Sequence, residues 1–286
     1  MLDKKDRALG AFMGLAIGDA LGVPAEFKMR GEFAPIKGMR GGGPFRLKAG
    51  EWTDDTSMAL CLADSLNAFR EFRGADVLES FHGWWTTGYN SHNGRCFDIG
   101  TTTRNAIMKF INTGKIDQAD AHIGASGNGG IMRLVPAVIF HHKDRDAAIA
   151  CAVAQSDLTH PSVECKEGAE KLAGMIFDAI HGASKEDLVD VERLKILPAE
   201  SIPSSGYVAH TMLAAQWAIA TTDNFRDALL AAVNLGDDAD TTGAVTGQIA
   251  GALYGLSSIP QEWLDVLVWR EKLMTLAEEL WTNGEL

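Results

Sequence analysis

Two rows of glycines constrain this chain more than any other feature. Gly10, Gly14, Gly18 and Gly22 fall four residues apart near the start, and Gly243, Gly247, Gly251 and Gly255 repeat the spacing near the end. Each row lies in a segment whose apolar residues recur at three- and four-residue steps, which predicts helices over Lys4–Leu21 and Thr242–Tyr254. A glycine inside a helix costs about 0.5–1 kcal/mol relative to alanine, so two periodic rows need a reason. Close backbone approach is one: two central helices whose glycine ridges meet can sit nearer than the roughly 8–10 Å between ordinary packed helix axes. Two glycine-rich helices that each touch some other element are the alternative.

The helical period runs through the rest of the chain, while alternating strand patterns are nearly absent. Further helices are predicted over Thr56–Phe72, Ala75–Thr86, Thr102–Ile111, Arg145–Gln155, Ser162–Ile180, Lys185–Leu194, Tyr207–Ala220, Phe225–Val233 and Arg270–Trp281, with Gly74 and Gly114 as stops. The stretch from Phe27 to Glu51 is irregular, and a loop of that length in a compact domain is usually functional or mobile. With 46% hydrophobic and 22% charged residues and no visible linker, the expectation is an all-α protein forming one domain over residues 1–286.

The formal charge of −12 disfavours nucleic acid and anionic membranes as partners, so an anionic ligand must be held by local features. Cys61, Cys96, Cys151 and Cys165 show neither zinc-ligand spacing nor a disulfide pattern, and reduced thiols in the cytoplasm are expected. No apolar run is read as a membrane span, and Asp19 argues against a signal peptide in the first helix.

Two acidic motifs carry the chemistry. Glu51-Trp52-Thr53-Asp54-Asp55-Thr56-Ser57 opens a helix, and taken alone it reads as a capping threonine with two acids complementing the helix dipole. Gly236-Asp237-Asp238-Ala239-Asp240-Thr241-Thr242 repeats that chemistry at the start of another helix. Capping needs one carboxylate, whereas three at one terminus repel each other unless a cation intervenes. Carboxylate and hydroxyl oxygens without Cys or His select a hard ion, magnesium or manganese, and the two motifs in one pocket offer enough oxygens for two. A third segment, Ser126-Gly127-Asn128-Gly129-Gly130, leads into Ile131-Met132-Arg133. It is either a phosphate cradle with Arg133 adding charge or a flexible loop ahead of a helix.

Six segments in this order and spacing, GLAIGDALGVPAEF (14–27), TDDT (53–56), GRCFDIGTTT (94–103), SGNGGIMR (126–133), THP (159–161) and NLGDDADTTGAVTGQIAGALYG (234–255), resemble the ADP-ribosylglycohydrolase family, in particular its bacterial dinitrogenase-reductase-activating type. The resemblance spans nearly the whole chain. It implies a compact orthogonal bundle of helices, a site with two Mg2+ or Mn2+ ions, and hydrolysis of the bond between ADP-ribose and a modified protein side chain, with ADP-ribose as product. Thr53, Asp54, Asp55, Asp238, Asp240 and Thr241 match the family's metal ligands. Glu26 matches a glutamate beside the metals and the scissile ribose. The loop Ser126, Gly127, Asn128, Gly129, Gly130, together with Met132, matches a border of the ADP-ribose site, and His160 matches a histidine of the cleft. Asp98 matches an acid at the cleft mouth suited to a guanidinium. Thr101 stands where nitrogenase-type members carry Asn, and Asp237 where many carry Gly.

The expected mechanism places Asp55 as the acceptor of a proton from water and Glu26 on the leaving side. Arginine is the expected linkage and a monomer the expected state. A catalytically silent relative that binds ADP-ribose or serves structurally, and a metal-dependent nucleotide phosphohydrolase, are the alternatives.

Overall fold

The computed structural model describes residues 2–117, 119 and 126–285. Among these, all regular structure is helical, and strand-like pairing is confined to three isolated bridges. Helix α1 is Lys4–Gly22, α2 Asp54–Phe69, α3 Gly74–Thr87, α4 Thr101–Thr113 and α5 Gly129–Met132. Then come α6 Val135–Phe140, α7 Arg145–Asp157, α8 Val163–Ile180, α9 Lys185–Leu188 and α10 Val191–Lys195. The series ends with α11 Val208–Thr221, α12 Phe225–Val233, α13 Ala239–Tyr254, α14 Gln261–Val266 and α15 Arg270–Asn283. One large apolar cluster runs from α1 to α15, and a smaller one forms around Trp217 and Leu235.

Most of the predicted helices recur with ends shifted by one to three residues, and the differences have local causes. The segment 185–194 splits into α9 and α10, because Val189 is extended and Asp190 caps a new turn through Arg193 N. Gly74 starts α3 rather than stopping α2, which already ends at Arg70 in the left-handed conformation. The short helices α5, α6 and α14 span too few turns for a helical period to show. Residues Lys4–Ala25 are, contrary to the sequence expectation, long and apolar enough to cross a membrane by length and composition, but the apolar window is wholly buried in the bundle.

That segment is buried because α1 and α13 form the centre of the molecule, running antiparallel with their glycine ridges in register. A Cβ placed on Gly10 would lie 2.5 Å from the Gly251 carbonyl oxygen, and Cβ atoms on Gly14, Gly18, Gly247 and Gly251 would come closer still to the facing backbone. No side-chain rotation relieves a clash between Cβ and backbone. The fourth pairing differs from the expected row: Gly22 faces Ala239, while Gly255, which ends α13 with φ +81°, meets α1 at Gly10 and Asp6. At that end Arg7 of α1 donates to the carbonyls of Ala252 and Leu253, a cation placed at a helix C-terminus.

The antiparallel register decides where the site sits. It sets the C-terminal end of α1, with Asp19 and the following Glu26, beside the N-terminal end of α13 with Asp238 and Asp240. A two-way bridge locks the junction: Phe27 N donates to Asp237 O and Asp237 N to Lys28 O, both at 2.7 Å. Phe27 and Asp237 both have φ near +60°, a conformation glycine adopts freely and Asp tolerates, which explains how Asp237 fills its position in the junction.

Gly14→Ala and Gly247→Ala are expected to cost at least about 1–3 kcal/mol each by overpacking the α1–α13 contact. Gly38→Ala, whose added Cβ would meet only Trp263 at 3.6 Å, is expected to stay within about 0.5 kcal/mol of wild type. Thermal or urea unfolding of the three variants measures this, and wild-type stability in either ridge variant would contradict the packing described.

Candidate active site

At the α1–α13 junction the N-terminus of α2 completes an acidic centre. Thr53 precedes α2 but does not cap it with its own side chain. Asp19, reaching across from α1, does so instead: Oδ1 accepts from Thr53 N and Oγ1 at 2.9 Å, and Oδ2 accepts from Thr56 N at 3.0 Å and Oγ1 at 2.6 Å. A buried acid thereby meets the free N–H groups of another helix, where the helix dipole favours negative charge. Even so, burial outweighs these bonds and raises the Asp19 pKa to about 6.

The Thr53 hydroxyl has one hydrogen and three carboxylates around it. Besides Asp19, Asp55 Oδ2 lies at 3.1 Å and Asp240 Oδ2 at 3.2 Å. Asp19, Asp55 and Asp240 each offer an oxygen within 4.8 Å of the other two, and Glu26, Asp98 and Asp240 form a second such group. Asp55 Oδ1 and Glu26 Oε2 are buried with no hydrogen-bond partner among the described residues. Burial first, then repulsion from neighbouring acids, pushes Glu26, Asp54, Asp55 and Asp240 well above the ordinary carboxylate range, and burial raises Asp98 and Asp238 as well. Unpartnered oxygens in two overlapping acidic groups are what a hard divalent cation satisfies, so the donor set fits such ions.

Above this centre lies a cavity of about 280 Å³. Glu26, Asp54, Asp98, Asp238 and Asp240 line it, together with Thr101, Gly127, Asn128, Gly129, Met132, His160, Thr241, Phe27 and Gly206. Among the described residues its lining contains no lysine or arginine. Thr53 and Asp55 lie beneath the floor, both 0% exposed. Ser126 and Gly130 are not in the lining. The Ser126 hydroxyl turns toward Ser162 and Glu164 at 2.8 and 3.1 Å, while Gly130 packs against Ser156 of α7, where a Cβ would not fit.

The wall is built from the loop ahead of α5. Asn128 N donates to Gly206 O at 3.0 Å, and its side-chain amide donates to Thr211 Oγ1 and Asp238 Oδ2, both at 2.9 Å, so one side chain fixes the loop and orients an acid of the centre. Gln248 of α13 holds the far end through Ile131 O, Met132 O and Val135 N. Arg133 is not available to a phosphate: it is 0% exposed, bonded to Gln155 and Thr159, with its guanidinium 4.7 Å above the Phe81 ring. Asp98 sits with φ +61° and is drawn in against Glu26 and Asp240 rather than standing free at the rim.

Asp19 joins the site without having been assigned to it from the sequence. Its signal was present: the one acid in the apolar and small-residue run from Ala8 to Gly22, with no base one turn away. Phe27, 65% exposed at the cavity edge, gave no signal of any kind.

The ADP-ribosylglycohydrolase family model matches residues 1–286. The chain belongs to the ADP-ribosylglycohydrolase family. It is 43% identical to the ADP-ribosylarginine hydrolase Tri1 of Pseudomonas putida (strain GB-1), over 98% of this chain and 79% of that protein. With the ADP-ribosyl-(dinitrogen reductase) glycohydrolase of Rhodospirillum rubrum it shares 38% identity over 92% and 90% of the two chains. A solved structure titled ADP-ribosylglycohydrolase-related protein complex superposes with a TM-score of 0.85 at 39% identity, covering 99% of both chains. The all-α bundle expected from the family resemblance is thus the observed fold.

The acidic centre predicts a specific pH response in metal-free protein. A buried carboxyl whose pKa is raised by folding favours stability below its unfolded value and loses that contribution as pH rises through its folded value, for Asp19 from 3.8 to about 6. Asp55→Asn, which removes one of the repelling charges, is therefore expected to gain melting temperature relative to wild type as pH rises from about 4 to 7. Millimolar Mg2+ or Mn2+ is expected to raise the wild-type melting temperature and that of the variant much less. A variant with the full metal response, or a constant wild-type difference across that pH range, would contradict this reading.

Proposed function

We propose that the protein hydrolyses the bond between ADP-ribose and a modified protein side chain, with arginine as the preferred linkage, and that two Mg2+ or Mn2+ ions complete the site. The observation that carries the proposal is the convergence of Glu26, Asp54, Asp98, Asp238 and Asp240 on one cavity, with oxygens beneath them left unpartnered. The likeness to an ADP-ribosylarginine hydrolase along 98% of the chain supports the substrate class.

Thr53, Asp54, Asp55, Asp238, Asp240 and Thr241 would hold the ions. When bound, the ions supply positive charge that orients adjacent ribose hydroxyls and acidifies water. The chain's own groups do the rest. With the ions bound and their charge holding it ionised, Asp55, whose Oδ1 has no partner among the described residues, would accept a proton from the attacking water. The water oxygen bonds to the anomeric carbon as the bond to the guanidine nitrogen breaks, through an oxocarbenium-like state. Glu26, whose environment favours the protonated form, delivers a proton to the leaving nitrogen. The ring of acids also disfavours stray anions, leaving the Gly127–Gly129 wall and His160 as the surface that receives the diphosphate.

Asp98 gives the linkage preference. A carboxylate at the cavity can hold a guanidinium through paired N–H···O bonds, which a serine-linked substrate cannot offer. Incubation with arginine- and serine-linked ADP-ribosyl substrates, with and without chelator, tests the proposal. Free ADP-ribose is expected from the arginine substrate only when metal is present, and Asp98→Ala should slow that reaction while leaving ADP-ribose binding nearly intact. Release of AMP would favour phosphohydrolysis, release of neither product a silent binding protein, and faster cleavage of the serine linkage would refute the preference.

A further inference from the structure

A buried hydrogen-bond chain runs from α7 to the cavity wall and ends on His160. Gln155 donates through Nε2 to Gly130 O at 2.6 Å and Ala152 O at 3.0 Å, which turns its Oε1 toward Arg133 Nε at 3.0 Å. Arg133 Nη2 in turn donates to Thr159 Oγ1 at 2.7 Å. A guanidinium has donors and no acceptors, so the Thr159 oxygen accepts that bond and keeps its own hydrogen to give. His160 Nδ1 lies 2.7 Å from the same oxygen. Were Nδ1 protonated, the Thr159 hydroxyl hydrogen would have no acceptor among the described residues, at a side chain 0% exposed. The chain is therefore complete only if Nδ1 accepts, and the proton of the neutral ring is on Nε2.

Nε2 lies on the side of the ring that meets the wall. A Cβ on Gly127 would lie 3.2 Å from it, and a Cβ on Gly129 2.5 Å from the adjoining Cε1, so these glycines make room for the imidazole at the cavity. From this geometry we infer that Arg133 and Thr159 are positioning residues that hold His160 as a neutral Nε2–H donor toward an anionic oxygen of the bound ligand. Burial and the charge of Arg133 push His160 down to about 3, so the ring stays uncharged. A neutral donor suits this cavity: it binds an anionic oxygen without placing a fixed cation beside carboxylates that are to hold metal. The tautomer stands on the hydrogen-bond chain alone, while the choice of ADP-ribose as the ligand rests on the function proposed above.

Two measurements separate these. Nitrogen-15 NMR of the histidine rings in the free protein, with the His160 signals assigned by their loss in His160→Gln, reads the tautomer directly. The expected result is a protonated Nε2 and an unprotonated Nδ1 in wild type and Thr159→Ser, with that pattern lost in Thr159→Val. Titration with ADP-ribose is expected to show affinity weakened about five- to tenfold in Thr159→Val, the scale of one hydrogen bond, and restored in Thr159→Ser. A wild-type spectrum with Nδ1 protonated or both nitrogens protonated at neutral pH would overturn the inference, and this holds even if Thr159→Val does not fold. The predicted wild-type spectrum without ADP-ribose binding would support the tautomer and refute the ligand.

Discussion

The contact between the backbones of α1 and α13 is the constraint on which the rest of the structure depends. It holds two helices closer than any residue with a Cβ permits, and it does so in one antiparallel register. Because a helix delivers side chains at fixed steps, that register fixes which groups meet at its end: Asp19 and Glu26 from the α1 side, Asp238 and Asp240 from the α13 side. The Phe27–Asp237 bridge then converts a packing arrangement into a defined distance between two acidic segments. Had the ridges slipped by one turn, about 5.4 Å, the acids would no longer share oxygens within coordinating reach.

That juxtaposition is electrostatically unfavourable in itself, and the fold opposes it only in part. Four hydrogen bonds to Asp19 and an amide from Asn128 to Asp238 relieve two of the carboxylates. Asp55 and Glu26 keep buried oxygens with no partner among the described residues. The nearby cation Arg133 is tied to neutral acceptors and to the Phe81 ring, so it offsets the field without neutralising any one acid. A centre built in this way keeps its carboxylates available for ions instead of spending them on internal salt bridges. The bond to Thr159 gives the same arginine a second task at the cavity wall.

Much of this was legible in the sequence, and the parts that were not have a common cause. The helical period, the glycine spacing and the repeated acid–threonine motifs are local patterns, and they led correctly to the all-α fold and to the α1–α13 contact. The roles that escaped depend on partners far along the chain. The antiparallel register puts Ala239, which is not a glycine of the row, opposite Gly22 and sets Gly255 at the other end, beside Gly10 and Asp6. Thr53 has the identity of a cap, yet the cap comes from Asp19, thirty-four residues earlier. Arg133 follows a glycine loop as a phosphate-binding residue would, but its direction is set by Gln155 and Thr159 of another segment. Ser126 belongs to the same motif as Asn128, and only the packing of α8 shows that its hydroxyl faces away from the cavity.

The proposed role of the acids gathered by the glycine contact is a divalent metal centre. Anomalous diffraction from crystals grown with manganese tests it most directly. A pair of manganese peaks is expected among the carboxylates of Asp54, Asp55, Asp238 and Asp240, beside the Thr53 and Thr241 hydroxyls. Crystals that show no manganese there at saturating concentration, or show it only at surface carboxylates, would contradict it.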